Sequence, residues 1–438
     1  MNIELITAIL FFCLVVLLLS GLPLAFTLAG LGLGAAYFLW GPQTLLLIAV
    51  QTYDVMTEYF MVGIPLYIFM ANMLQLSGII EEMYAVMEKW FGPLRGGLAI
   101  GTVAICTVLA AMTGVVGAAV ATMGILALPS MLSRGYDKKI AVGAICAGGT
   151  LGILIPPSVI TIVYAVTAGV SIGKMLIGGV VPGLLLAALY MSYIGIRCHI
   201  NPSLGPVAPP EQRAMITLRD KLIALKGVIF PIMLILSVLG TIYTGVATPN
   251  EAAGIGCLGA IISAFLHKRL SWGNLREAAL TTARITAMIM WITIGARCFI
   301  SVFSAVGGAE FIKQAITGLD VNRWIILIFM QLLLFFLGCF LDEIGIILMC
   351  VPIFLPIVKT LDFDIIWFGI LFLVNAQMAY ISPPFGYTLF YLKGVAPPEI
   401  GIGDIWQAII PFLLLQAFGL SICMIWPQIV LWLPNTMQ

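Results

Sequence analysis

Two short stretches of this chain carry the same unusual set of residues. Pro156-Pro157 is followed by Thr161 and Tyr164, and Pro383-Pro384 by Thr388 and Tyr391, so both read P-P-x-x-x-T-x-x-Y. Proline removes a backbone donor and clashes with the preceding turn, which frees carbonyl oxygens. In apolar surroundings those oxygens need a partner, and a dehydrated cation is a good one. A single Pro-Pro reads more plainly as a kink closed by a nearby Ser or Thr. Two copies with matched Thr and Tyr favour a built site. Glycine-rich Thr113-Gly114 and Gly117 could add oxygens, and half-helix N-termini at the same level would attract an anion.

Charged residues in apolar runs add to this. Asp342 and Glu343 interrupt one such run, and charge inside a membrane is expensive enough to signal function. A solvated loop tip is the alternative. Arg297 sits deep in Ile292–Ile300. It could pair with a substrate carboxylate or sulfonate, pair with Asp342 or Glu343, or snorkel to the interface. Thr113, Val116, Thr161 and Thr388 complete the candidate substrate contacts. Thr248-Pro249-Asn250-Glu251 has a mechanical reading instead: Thr248 caps a helix, Pro249 opens it and Glu251 completes a capping box.

The elements that position these residues are membrane helices. Of 438 residues, 62% are hydrophobic and 9% charged, whereas soluble domains carry roughly 25% charged residues. The N-terminal Met1-Asn2-Ile3-Glu4 lacks a signal peptide's positive region and runs into a retained span. A net charge of +1 gives no case for nucleic acid. The nine cysteines form no CxxC pair and read as small buried hydrophobes. His199 and His267 lie in polar loops, which argues against a His-based metal site.

The displacement that relates the Pro-Pro motifs also carries Leu128-Pro129 onto Leu355-Pro356 and, one residue shorter, Pro23 onto Pro249. Such internal symmetry, with broken helices at equivalent places, reads as a transporter whose site lies between repeats. The expected fold is all-α and polytopic, with two inverted-topology repeats forming a scaffold and an elevator-type transport domain. The first repeat spans 1–225, with a re-entrant hairpin at about 98–132 and a broken helix at about 140–169. The second spans 226–438, with a hairpin at about 325–358 and a broken helix at about 365–394. Each half of a hairpin is expected to be too short to cross a bilayer alone.

Basic residues cluster at Arg134-Gly135-Tyr136-Asp137-Lys138-Lys139, from Arg197 through Arg213, Arg219 and Lys221 to Lys226, and at His267-Lys268-Arg269 with Arg276. These are expected in the cytoplasm. The loop equivalent to the first cluster, Thr360-Leu361-Asp362-Phe363-Asp364, is acidic, which places equivalent loops on opposite sides. The stretch 197–225, with Pro202, Pro206, Pro209 and Pro210, reads as a cytoplasmic linker.

With these residues in hand, the chain resembles the large membrane subunit of tripartite ATP-independent periplasmic (TRAP) transporters. The matching segments are Arg134–Lys138, Gly148–Ser158, Tyr243–Ala253 and Phe340-Leu341-Asp342, and the resemblance covers essentially the whole chain. It implies a sodium-driven importer of a small organic anion in the bacterial cytoplasmic membrane. A periplasmic binding protein would deliver the substrate, and a small four-helix membrane subunit would support the scaffold. By resemblance, one Na+ lies between Thr113, Gly114, Gly117 and Gly149, Ile153, Pro156. A second lies between Gly338 or Asp342 and the stretch from Asn375 through Ala379 to Ser382. The chain departs from the pattern where Thr113-Gly114-Val115-Val116-Gly117 replaces a serine-rich tip, shifting weight to backbone oxygens. Glu343 stands where relatives commonly have a small polar residue. The small subunit is expected to be a separate chain.

Three rivals remain at this level. One is a stand-alone inverted-repeat anion carrier or antiporter needing no binding protein. Another is an intramembrane enzyme using Asp342 and Glu343, disfavoured because adjacent residues need not converge on one bond. A passive channel is the third, against which the paired broken helices argue.

Overall fold

The computed structural model describes residues 3–114, 116–207, 217–317, 321–384 and 386–437. Val115, Pro209, Pro210 and Arg213 lie outside the described residues. Among those described, the chain is helical and no strand occurs. It opens with α1 (Ile3–Leu19), α2 (Leu24–Trp40), α3 (Leu46–Thr57), α4 (Gly63–Gln75) and α5 (Ile79–Phe91). A hairpin of α6 (Gly97–Thr113) and α7 (Val116–Ser133) follows. Then come α8 (Lys138–Thr150), the Pro156-Pro157 break, α9 (Val159–Ala168), α10 (Ile172–Gly178) and α11 (Val180–Ile200).

After the linker and the short α12 (Leu218–Ala224), the same order recurs. It runs α13 (Lys226–Tyr243), α14 (Pro249–Leu266), α15 (Trp272–Ala305) and α16 (Gly308–Thr317). A second hairpin of α17 (Arg323–Gly338) and α18 (Glu343–Thr360) leads to α19 (Ile365–Tyr380) and the Pro383-Pro384 break. The chain ends in α20 (Tyr387–Val395), α21 (Ile402–Ile425) and α22 (Gln428–Asn435). Both Pro-Pro peptide bonds are cis.

Seven helices among the described residues are long and apolar enough to cross a bilayer, or eight if 42–57 and 59–75, bent by 63°, form one span. The other hairpin limbs, α6 and α17, remain among the shorter apolar helices, but two of the seven are α7 and α18, which corrects for those two limbs the expectation that each is too short. Pro129, Pro352 and Pro356 sit inside these helices without ending them, because packed neighbours tolerate a lost backbone bond in membrane helices. The limbs therefore run on to Ser133 and Thr360.

The repeats differ at α15. In the second, α15 is unbroken over 34 residues; in the first, its counterpart is bent between α3 and α4. The Thr-Pro-Asn-Glu motif holds that bend. Thr248 Oγ1 accepts from Glu251 N at 3.3 Å and Thr248 N donates to Glu251 Oε2 at 2.7 Å, so the capping box forms. Asn250 Nδ2 donates to Tyr59 O at 2.8 Å, and Tyr67 OH donates to Pro249 O at 2.8 Å. A capped helix start thus clamps the bend across the repeats.

The described part of the linker is also tied down. Gly96 N donates to Gly205 O at 2.9 Å and Asp137 N to Leu204 O at 3.0 Å. Asp137 caps α8 through Lys139 N and Ile140 N, and Arg134 pairs with Glu88. The first basic cluster is therefore partly spent on fastening loops.

Candidate functional site

Each break exposes the backbone in the same way and is closed in the same way. Thr161 Oγ1 donates to Ile153 O at 3.2 Å, and Thr388 Oγ1 donates to Tyr380 O at 2.9 Å, both eight residues back. Both threonines are fully buried. Ser158 Oγ also donates to Ile153 O, at 2.7 Å, whereas the residue equivalent to Ser158 is Phe385, outside the described residues. These hydroxyls brace the breaks, and neither threonine lines a cavity with the hairpin tips. Leaving a buried carbonyl unpaired costs about 1–3 kcal/mol. Thr388→Val is therefore expected to destabilise the protein by about 1–3 kcal/mol, and Thr161→Val by less, because Ser158 still serves Ile153. Unfolding in detergent measures both; the reverse order would contradict this assignment.

The first hairpin tip docks on the first break. Gly114 has φ +59, and a Cβ there would lie 2.2 Å from Pro157 O. A Cβ at Gly117 would meet the Tyr391 ring at 3.0 Å, so the same tip also touches the second broken helix. At the second tip Asp342 caps α18, accepting from Gly345 N at 3.3 Å. Close contacts of small residues seat the limbs: Gly149 against Val120, and Gly338 against Ala379. Gly114 at the first tip is buried against protein, as a re-entrant tip requires.

Between the tips lies a cavity of about 660 Å³. One wall is Gly114, Val116 and Gly117 of the first tip, Val159 and Ile160 at the start of α9, Asp342, Glu343 and Ile344 of the second tip, and Tyr380, Tyr387 and Tyr391. The opposite wall is Pro23 to Phe26 at the start of α2, Ile68 of α4, and Ile285, Met288, Ile289, Trp291 and Ile292 of α15. The N-termini of α7 and α9 open on this space, which puts partial positive charge there. The two carboxylates enter from the N-terminus of α18. A larger cavity of about 720 Å³ between α3, α4 and α15 is lined without any charged side chain, so the first is the better candidate.

The cavity gathers five of the residues singled out from the sequence: Gly114, Val116, Gly117, Asp342 and Glu343. It does not gather Thr113, whose hydroxyl donates to Leu109 O at 2.9 Å. Arg297 is also elsewhere. It pairs with Glu58 at 3.6 Å, beside the α3–α4 bend, and with neither Asp342 nor Glu343. No Lys, Arg or His is among the described residues lining the cavity.

The residues expected around cations divide as well. Ile153 O already accepts two hydroxyls, and Ser382 Oγ donates to Met378 O at 2.7 Å. Asn375 Nδ2 donates to Gln331 O at 2.6 Å and Gln331 Oε1 at 2.7 Å. Its Oδ1 stays buried without a hydrogen-bond partner among the described residues. That oxygen is available to a small cation between α17 and α19. Gly149, Gly338 and Ala379 occupy the contacts between hairpin limbs and broken helices, and Pro156 lies in the first break.

Among the cavity residues not singled out are Tyr380, Tyr387 and the opposing apolar wall's Trp291. Tyr380 and Tyr387 flank Pro383-Pro384, and their rings stack with centroids 5.1 Å apart. Tyr391 belongs to the repeated motif, yet its counterpart Tyr164 is fully buried and packs on Phe372 at 5.3 Å. The symmetry of sequence is thus broken in use.

The family model described as tripartite ATP-independent periplasmic transporter, DctM component, matches residues 11–429. A Pseudomonas aeruginosa relative named as a C4-dicarboxylate TRAP transporter large permease protein, DctM, is 31% identical, over 92% of this chain and 93% of its own. A Ruegeria pomeroyi relative named as an ectoine/5-hydroxyectoine TRAP transporter large permease protein is 29% identical, over 97% and 98%. The crystal structure of the Alcanivorax borkumensis YdaH transporter is similar in fold, with TM-score 0.60, 15% identity and coverage of 97% and 98%.

Proposed function

The chain belongs to the DctM component family of tripartite ATP-independent periplasmic transporters, and from that premise we propose that it is the translocation subunit of a sodium-coupled importer of a small organic acid. It is a multi-pass membrane protein, placed by this reading in the bacterial cytoplasmic membrane. A periplasmic binding protein delivers the solute, and a small four-helix membrane subunit supports the scaffold. The relatives are named for a C4-dicarboxylate and for ectoine, so membership leaves the solute open.

One observation carries the reading: both hairpin tips and both broken helices converge on one cavity, whose far wall is formed by other helices. In this scheme α2, α4 and α15 belong to the scaffold. The hairpins with α8, α9, α19 and α20 form the transport domain, which moves as an elevator. Sodium is cargo. The buried Asn375 Oδ1, and the approach of the first tip to Pro157 O, supply oxygens where a cation would link tip to break. Binding it would fix the tips, whose helix N-termini then hold the carboxylate. The opposite charge bias of Arg134–Lys139 and Thr360–Asp364 supports inverted repeats.

Proteoliposomes holding this chain and its small subunit test the reading, with a candidate organic acid and its binding protein supplied and a sodium gradient imposed or omitted. Uptake is expected only with both. Sodium-independent uptake contradicts the coupling. Uptake without the binding protein favours a stand-alone carrier.

A further inference from the structure

We propose that the solute is a zwitterion, an organic acid that also bears a cationic nitrogen, and that Glu343 receives the nitrogen. This rests on the transport reading above and adds the class of solute.

The argument starts from an unbalanced charge. Glu343 is only 9% exposed and lines the cavity, and its Oε2 is buried without a hydrogen-bond partner among the described residues. Burying a carboxylate is costly unless a cation or strong donors meet it. Asp342 beside it already has work as the cap of α18. No basic residue is among the described lining, and Arg297, the strongest candidate from the sequence, is held by Glu58. Beyond the Tyr380 hydroxyl, which hydrogen-bonds the carboxylate, the lining offers Glu343 no positive partner, and a cationic group entering the cavity would balance its charge.

The surroundings specify its form. The stacked Tyr380 and Tyr387 rings and the nearby Tyr391 border the same space as Glu343. Aromatic faces beside a carboxylate attract ammonium groups, quaternary ones included. The starts of α7 and α9 provide a second, positive pole on the same wall, suited to a carboxylate. A cavity with an acidic pole and a helix-dipole pole matches a molecule that carries both charges. A plain dicarboxylate would bring a second negative charge to Glu343.

Isosteric ligand pairs test this with the chain and its small subunit in nanodiscs containing sodium. The pairs are glycine betaine against tert-butylacetate, and γ-aminobutyrate against valerate; each differs by nitrogen for carbon. Calorimetry is expected to show a nitrogen member binding tighter than its carbon partner by about tenfold or more. Glu343→Gln should erase that preference. Equal or tighter binding of the carbon members overturns the proposal, as does a preference that survives Glu343→Gln. Binding of neither series, in protein that still takes up a supplied organic acid with sodium, discards the zwitterion and keeps the transporter. Absence of sodium-driven uptake for every supplied solute would instead remove the transport reading itself.

Discussion

Gly114→Ala is expected to reduce solute uptake about a hundredfold, while Gly169→Ala leaves it near the wild-type rate. The two glycines share a left-handed backbone, with φ +59 and +65. An alanine in that region costs roughly 1–2 kcal/mol at either site. They differ in space. A Cβ at Gly169 meets nothing within 4 Å, but at Gly114 it would lie 2.2 Å from Pro157 O and 3.0 Å from Ser158 Cα. Those are backbone atoms of the break and cannot turn aside, so the tip itself must lift. Forcing extra atoms into a packed contact adds typically 1–3 kcal/mol, and here the displaced part is the floor of the cavity. Uptake in proteoliposomes, with thermal unfolding run alongside, checks both halves. Equal uptake by the two variants would mean that the tip's seat on the break is not needed.

Asp342→Asn separates two jobs of one residue. Asparagine caps helices as well as aspartate does, so the second hairpin should keep its stability to within about 0.5 kcal/mol. The charge facing the cavity disappears, and uptake is expected to fall about a hundredfold, the loss of roughly 3 kcal/mol of interaction. Asp342→Ala should lose the same uptake and a further ~1 kcal/mol of stability, because the cap goes too. Wild-type uptake by Asp342→Asn would reduce this residue to its cap on Gly345.

The all-helical fold with paired hairpins and broken helices was legible in the sequence because proline pairs are rare and leave a mark that symmetry doubles. What each side chain does at those marks was less legible. Thr161 and Thr388 were visible as repeated hydroxyls, but their direction depends on where the chain turns after the break. They turn inward, onto carbonyls eight residues back. Arg297 was open to several partners because nothing near it in sequence is acidic. Its partner, Glu58, comes from the other repeat through packing of α15 against the α3–α4 bend. The far wall of the cavity gave no signal at all, since Leu24, Ile68 and Ile289 have the same composition as lipid-facing residues. Glu343 stood out for the opposite reason: a charge in an apolar run has few cheap explanations.

The two walls of the cavity also differ in their mechanics. On one stand the carboxylates, tyrosine hydroxyls and helix ends; the other is almost wholly hydrocarbon, from Leu24 to Ile292, with the Trp291 indole as its polar exception. Hydrogen bonds have preferred angles and resist sliding, whereas apolar contact is non-directional. A solute gripped by the first wall can thus be dragged across the second without breaking a directional bond at each step. In the elevator scheme proposed above, the greasy face would behave as a bearing: it would seal the passenger from the side while offering little friction along the direction of travel.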